Sequence, residues 1–71
     1  MRVIDVLKKL GIWENVCIRE KDSHPHDMEA ITGLAEEVLK EHSMHLALKR
    51  PVYRITTGEW EGSHCIFIIY R

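Results

Sequence analysis

The chain has 71 residues and a formal net charge of −1, with 10 Lys and Arg against 11 Asp and Glu. Its two cysteines are too few for the disulfide framework of a small secreted domain, and no apolar leader or membrane span precedes the charged residues. The basic excess of a protein that grips nucleic-acid backbones is also missing, so nucleic acid is an open but not a favoured partner. These features predict one cytoplasmic domain over 1–71, with reduced thiols and no cofactor.

The amino-terminal part predicts a short helix followed by a strand. Apolar residues at 3, 6, 7 and 10 have helical spacing, which predicts a helix over 2–10 that stops at Gly11. Trp13 follows this helix directly, and we expect it to lie in or near the core. Residues 16–20 alternate weakly between apolar and polar, which predicts a strand toward an edge of the sheet.

The middle of the chain predicts a polar loop and then a long amphipathic helix. The loop covers 22–27, and Ser23 or Asp27 is expected to cap the helix that begins at Met28. Its apolar positions are 28, 31, 34, 35, 38 and 39. On this reading the helix ends near His42, and Gly33 is a tolerated residue on its polar face.

The carboxyl-terminal part predicts three strands. Alternation over 44–49 predicts the first, and Pro51 separates it from the second, over 52–57. The segment Gly58–Gly62 is bounded by glycines, which is typical of a hairpin loop leading to the last strand at 64–70.

The resulting order of elements is α-β-α-β-β-β. This order predicts an α+β two-layer sandwich, with two helices on one face of a mainly antiparallel sheet of three or four strands. The other face of the sheet would then be open unless a second molecule covers it.

The last strand is apolar on both sides. Alternate residues point to opposite faces of a strand, so Cys65, Phe67 and Ile69 oppose Ile66, Ile68 and Tyr70. A strand with two apolar sides requires two covers, which so small a domain has difficulty supplying alone. We therefore predict a non-enzymatic binding or assembly protein, forming a homo-oligomer or binding a protein partner through this strand. The predicted interface residues are Ile66, Ile68, Tyr70 and Trp60.

Five histidines raise the alternative of a metal-binding regulator. His24 and His26 flank a proline, while His42 and His45 bracket the end of the predicted long helix. The two pairs would lie roughly 25 Å apart at 1.5 Å per helical residue, so one site cannot use all four. His24 and His26 are the candidate ligands, although no spacing matches a known zinc motif and no metal is predicted.

Two further residue types are candidates for chemistry. Cys17 and Cys65 both fall in predicted strands, where a buried thiol behaves as a small apolar group. His64 lies on the opposite side of its strand from Cys65 and is poorly placed as its base. Trp60 either anchors a partner or folds back over the edge of the sheet.

Two short stretches resemble pieces of the small mRNA-interferase toxins that have a double-stranded-RNA-binding-like fold. These stretches are Leu7-Lys8-Lys9-Leu10-Gly11 and Gly62-Ser63-His64. The resemblance implies RNA cleavage with His64 as the catalytic residue, and Arg54 or Arg71 would then contact phosphate. The sequence departs from that family because a long helix and two strands separate the stretches and no helix follows the last strand.

Overall fold

The computed structural model describes residues 1–11, 13–22, 30–42 and 44–71. Within these ranges, two short helices, a 3-10 helix and four strands follow one another. In order they are α1 (Val3–Lys9), β1 (Asn15–Glu20), β2 (Ile31–Leu34), α2 (Ala35–Glu41), the 3-10 helix (Leu46–Lys49), β3 (Val52–Trp60) and β4 (Ser63–Tyr70). In these described ranges no helix is long and apolar enough to cross a membrane.

The four strands form one sheet in the order β2-β1-β4-β3. The two outer pairings are antiparallel, and the central pairing of β1 with β4 is parallel. The predicted α+β class, with two helices and a mainly antiparallel sheet, is confirmed. In this order β4 is a central strand, with β1 bonded to one edge and β3 to the other.

The core lies between one face of the sheet and the helices. Ile18 of β1 is the register partner of Ile68 of β4, and both are buried with Val16 in the same cluster. From the helical layer, α1 and α2 contribute a common set of buried side chains, namely Val3, Val6, Leu7, Ala35 and Val38. Both helices therefore cover the same face, the one to which the even-numbered residues of β1 and β4 point.

The helix predicted from Met28 to His42 is wrong in its first half. Residues 28 and 29 lie outside the described residues, as do Ser23 and Asp27, its predicted caps. Residues 31–34 form β2, which pairs with β1, and the helix begins only at Ala35. Gly33 has φ +140°, a conformation that a helix does not contain and that side-chain-bearing residues rarely adopt. It lets the chain pass from strand to helix without an intervening loop.

The strand predicted over 44–49 is instead a 3-10 helix over Leu46–Lys49. The adjacent residues Ala47 and Leu48 are both buried, whereas Met44 and Leu46 are exposed, so the period of two does not hold. The imidazole Nδ1 of His45 accepts a hydrogen bond from the amide of Ala47 at 3.0 Å and caps this turn. Local capping thus competes successfully with the alternating pattern.

Two expectations about the first part of the chain are also wrong. β1 was predicted toward an edge, but it lies between β2 and β4, and its consecutive residues Val16, Cys17 and Ile18 are buried. Trp13 was predicted in or near the core but is 76% exposed. It lies in the turn closed by the hydrogen bond from the amide of Glu14 to the carbonyl of Gly11, at 3.0 Å.

The predicted hairpin between the last two strands is confirmed, with a tighter loop than expected. β3 continues through Trp60, which pairs with Ser63, so that only Glu61 and Gly62 form the loop. Both have positive φ, 52° and 82°, as a type I′ turn requires. This turn matches the twist of the two strands and sets their register.

We predict that Ile68→Ala destabilises the protein by roughly 2–5 kcal/mol, because Ile68 is fully buried at the centre of the core. Ile55, its register partner on β3, is 47% exposed, and Ile55→Ala serves as the matched control. Ile55→Ala should lower the free energy of unfolding by clearly less than Ile68→Ala does. Urea denaturation followed by circular dichroism measures both variants, and equal losses would contradict the burial of Ile68 at the centre of the core.

Candidate functional site

The candidate site is the sheet face that points away from the two helices. Strand residues alternate between faces, so the odd-numbered residues of β1 and β4 point to this side. In agreement, Cys17 and Cys65 are buried but do not belong to the core cluster that contains Val16, Ile18 and Ile68. We call this surface the open face and define it by Arg19, Arg54, Thr56, Trp60, Phe67 and Ile69.

An aromatic ring lies at the middle of the open face. Phe67 pairs with Cys17 of β1 on one side and with Thr56 of β3 on the other. A Cβ atom added to Gly58 would lie 3.1 Å from the Cε2 atom of Phe67. Because Gly58 has no side chain, the ring of Phe67 can pack directly against the backbone of β3 at this position.

A cleft of about 440 Å³ opens beside this ring. Its walls include Arg19, Thr56, Trp60 and Phe67 from the open face, and its rim carries Glu59 and Glu61, among other residues. Trp60 also lines a second cavity of about 230 Å³, together with Cys65. Trp60 is half-buried and thus lies between the two cavities that it lines.

Charge is unevenly distributed along the open face. Arg19 and Arg54 are the register partners of Ile69 on its two sides, so two guanidinium groups flank one apolar residue. At the opposite end of β3, Glu61 of the turn lies beside the cleft, whereas Glu59 pairs with His64 and so belongs to the helix side. Arg54 and Glu61 therefore mark a basic and an acidic end of the open face, with Arg19 in the wall of the cleft.

The two thiols on this side are poorly suited to catalysis. Burial is the main cause that raises the pKa of the Cys17 thiol, and the nearby Cys65 adds to it. Burial also raises the pKa of the Cys65 thiol, which donates a hydrogen bond to the carbonyl oxygen of Ile66 at 3.8 Å. A raised pKa keeps a thiol protonated at neutral pH, and the thiolate is the nucleophilic form.

The predicted interface residues divide between the two faces. Ile68 is fully buried in the core, and Ile66 and Tyr70 pack against the same core from the helix side. Ile66, Tyr70, Phe67 and Ile69 are all half-buried, the first two on the helix side of β4 and the last two on the open face. Trp60 does lie on the open face.

The choice between the two faces had a signal in the sequence. Away from its exposed end at Glu20, β1 has Val16 and Ile18 at its even positions, whereas the odd position 19 holds an arginine. A charged side chain rarely points into a core, so Arg19 marks the odd-numbered face as the one farther from the helices. Because β1 and β4 pair in register, that assignment extends to Phe67 and Ile69.

The structure does not bring the candidate histidines into one site. His64 lies at the start of β4, opposite Glu59, and its side chain is exposed. The rings of His42 and His45 meet edge to face at 6.2 Å between centroids. His24 and His26 lie outside the described residues. Over the residues that are described, no group of three His, Cys, Asp or Glu side chains is placed to hold a metal ion.

Comparisons with protein-family models, with curated proteins and with solved structures find no match to this chain. Its function has therefore to be inferred from the chemistry of the open face and of the surfaces around it. The features available for that inference are an apolar centre, a cleft and two ends of opposite charge.

We predict that neither thiol reacts readily with iodoacetamide in the folded protein. Cys17 and Cys65 are buried and their pKa values are raised, so the thiolate fraction should stay small even near the ordinary thiol pKa of about 8.5. Mass spectrometry of the alkylated protein measures this at neutral and mildly alkaline pH. The same protein in denaturant is the control and should take up two labels quickly. Rapid single labelling of the native protein would contradict the burial of one thiol.

Proposed function

We propose that this chain is a non-enzymatic assembly protein that forms a homodimer by packing its open face against that of a second copy. The observation that carries the proposal is that Phe67 and Ile69, on the central strand β4, point away from both helices. Sheet-on-sheet packing is the usual way in which such a face is covered when no helix covers it.

The charges of the open face favour a second copy as the occupant. A two-fold axis through the middle of the face would place the positive end of one copy against the negative end of the other. Arg54 and Glu61 are seven positions apart along β3 and its turn, or about 23 Å in extended chain. An axis near Gly58 would therefore bring Arg54 of each copy opposite Glu61 of the other, with the Phe67 rings between them.

The size of the face implies a weak dimer. Four strands spaced about 4.8 Å apart and averaging about seven residues cover about 19 by 23 Å, which is near 440 Å² in projection. Stable interfaces bury about 800 Å² on each partner. We therefore expect dissociation in the micromolar range or above, and an assembly that responds to protein concentration.

A non-enzymatic role is supported by the chemistry around the face. Both thiols are buried, with raised pKa values, and His64 points to the helix side of β4, away from Phe67. The free state of the two cysteines favours a reducing compartment, and we extend the proposal to a cytoplasmic location on that ground.

The dimer is tested by reversing the charges that are expected to meet. Arg54→Glu alone and Glu61→Arg alone should each weaken the dimer, because each places like charges opposite one another across the two-fold axis. The Arg54→Glu/Glu61→Arg double variant restores opposite charges and should recover most of the affinity. Sedimentation velocity over a concentration series measures the monomer–dimer equilibrium of the four proteins.

Lys40→Glu is the matched control, since it reverses an exposed charge on α2, which belongs to the helical layer. It should leave the dimer unchanged. A wild-type protein that stays monomeric at the highest attainable concentration would refute the proposal. If the charge reversals leave the dimer affinity unchanged and Lys40→Glu lowers it, the interface lies on the helices and the proposal is wrong.

A further inference from the structure

Sheet topology collects basic residues from distant parts of the chain at one end of the sheet. The parallel strands β1 and β4 end together, because Glu20 and Tyr70 are register partners. β3 begins beside them, because Val52 is the partner of Tyr70 on the other edge of β4. The cations found at or next to this end are Arg2, Arg19, Lys21, Lys49, Arg50, Arg54 and Arg71. The net charge of −1 therefore conceals a strongly uneven distribution.

Two of these cations lie over the ring of Tyr53, and a third bonds to the main chain of one of them. The Nζ atom of Lys21 lies 4.9 Å from the ring centroid, and the guanidinium carbon of Arg71 lies 5.2 Å from it. The Nε–H of Arg50 donates to the main-chain oxygen of Arg71 at 2.6 Å. We call Lys21, Arg50, Tyr53 and Arg71 the basic cluster.

Tyr53 occupies this position because of an irregularity in β3. Val52 pairs with Tyr70 and Arg54 pairs with the preceding residue of β4, so Tyr53 is an extra residue without a partner in the register. Such a bulge bends the strand and redirects a side chain. The ring remains 46% exposed although it contacts two cations.

The arrangement has an electrostatic cost that a bound anion would offset. Like charges that gather at one place repel one another. Among the described residues, these cations contact the ring of Tyr53 and the main-chain oxygen of Arg71. Glu20 and Asp22 adjoin Lys21 in sequence and reduce the local charge, but the cations outnumber them.

We propose that the basic cluster binds the sugar–phosphate backbone of single-stranded nucleic acid. All three cations are exposed on a surface, which suits successive phosphates along a chain. Guanidinium groups match phosphate geometry, and an exposed tyrosine with a neighbouring guanidinium offers stacking surface to an unpaired base. An acidic peptide would use the charges but has no base for the ring, so the aromatic residue favours nucleic acid.

The cluster is a binding site separate from the other surfaces described. His64 lies at the opposite end of β4, six residues or about 20 Å from Tyr70, and thus takes no part in this site. None of the cluster residues belongs to the open face, so the inference goes beyond the proposed assembly and does not depend on it. A dimer would present two clusters, and a monomer would present one.

The test is fluorescence anisotropy with labelled single strands of about a dozen nucleotides, one of RNA and one of DNA. The Lys21→Ala/Arg71→Ala variant should lower the slope of log affinity against log salt by about 1.4, since each phosphate contact contributes about 0.7. At about 0.1 M salt, the loss of these two phosphate contacts should lower the affinity of the variant by about 25-fold. Tyr53→Leu should cost at least about fivefold by removing the stacking surface.

The matched control is Lys8→Ala/Lys9→Ala, which removes equal charge from the last turn of α1 and should change affinity little. Thermal unfolding by circular dichroism establishes that all variants are folded. Comparison of the RNA and DNA arms identifies the preferred strand. Three results would each overturn the proposal: no binding at about 50 mM salt, equal losses in the control variant, or equal competition by duplex DNA or by polyglutamate.

Discussion

The parallel pairing of β1 with β4 is the constraint on which the rest of the structure depends. It puts Ile18 beside Ile68 on the helix side and Cys17 beside Phe67 on the other, so that one pairing decides the content of both faces. It also makes β4 a central strand, with β3 bonded to its second edge. Because parallel strands end together, the same pairing brings the cations near Glu20 and Tyr70 to one end of the sheet.

The two faces of this sheet have different chemistry for a physical reason. Seven-residue helices bury their apolar residues against the even-numbered side, which holds no buried polar or charged residue among those described. The other side combines apolar residues with Arg19, which is half-buried, and with Arg54, which is exposed. Such a surface is too polar to serve as a core and too apolar to be an ordinary solvated face, a composition typical of a non-obligate interface.

Much of the fold could be predicted from the sequence because long patterns and turn chemistry are local. The helix before Gly11, the hairpin near Gly62 and the two-sided last strand all follow from such signals. The middle of the chain could not be predicted in the same way. Ile31 and Leu34 have helical spacing with the true helix that follows, and only pairing with β1 makes their segment a strand.

The candidate surfaces were harder to predict than the fold. That β4 needs cover on both sides was visible in its composition, but the side covered by helices depends on β1, where Arg19 is the informative residue. The basic cluster was not visible at all. Its members come from separate strands and loops, and a bulge at Tyr53 brings them together. Their proximity depends on pairing between strands that are far apart in sequence, so no short stretch of the sequence predicts it.

The parallel pairing has a further consequence for biosynthesis. Ile18 and Ile68 are 50 positions apart, so on a ribosome that adds about 5–20 residues per second, β1 is made roughly three to ten seconds before its partner. During that interval the hairpin with β2 can protect one edge of β1, while the other edge stays unpaired. A strand edge with unpaired main-chain groups can pair with other chains, so the nascent chain carries such an edge on β1 until β4 is available.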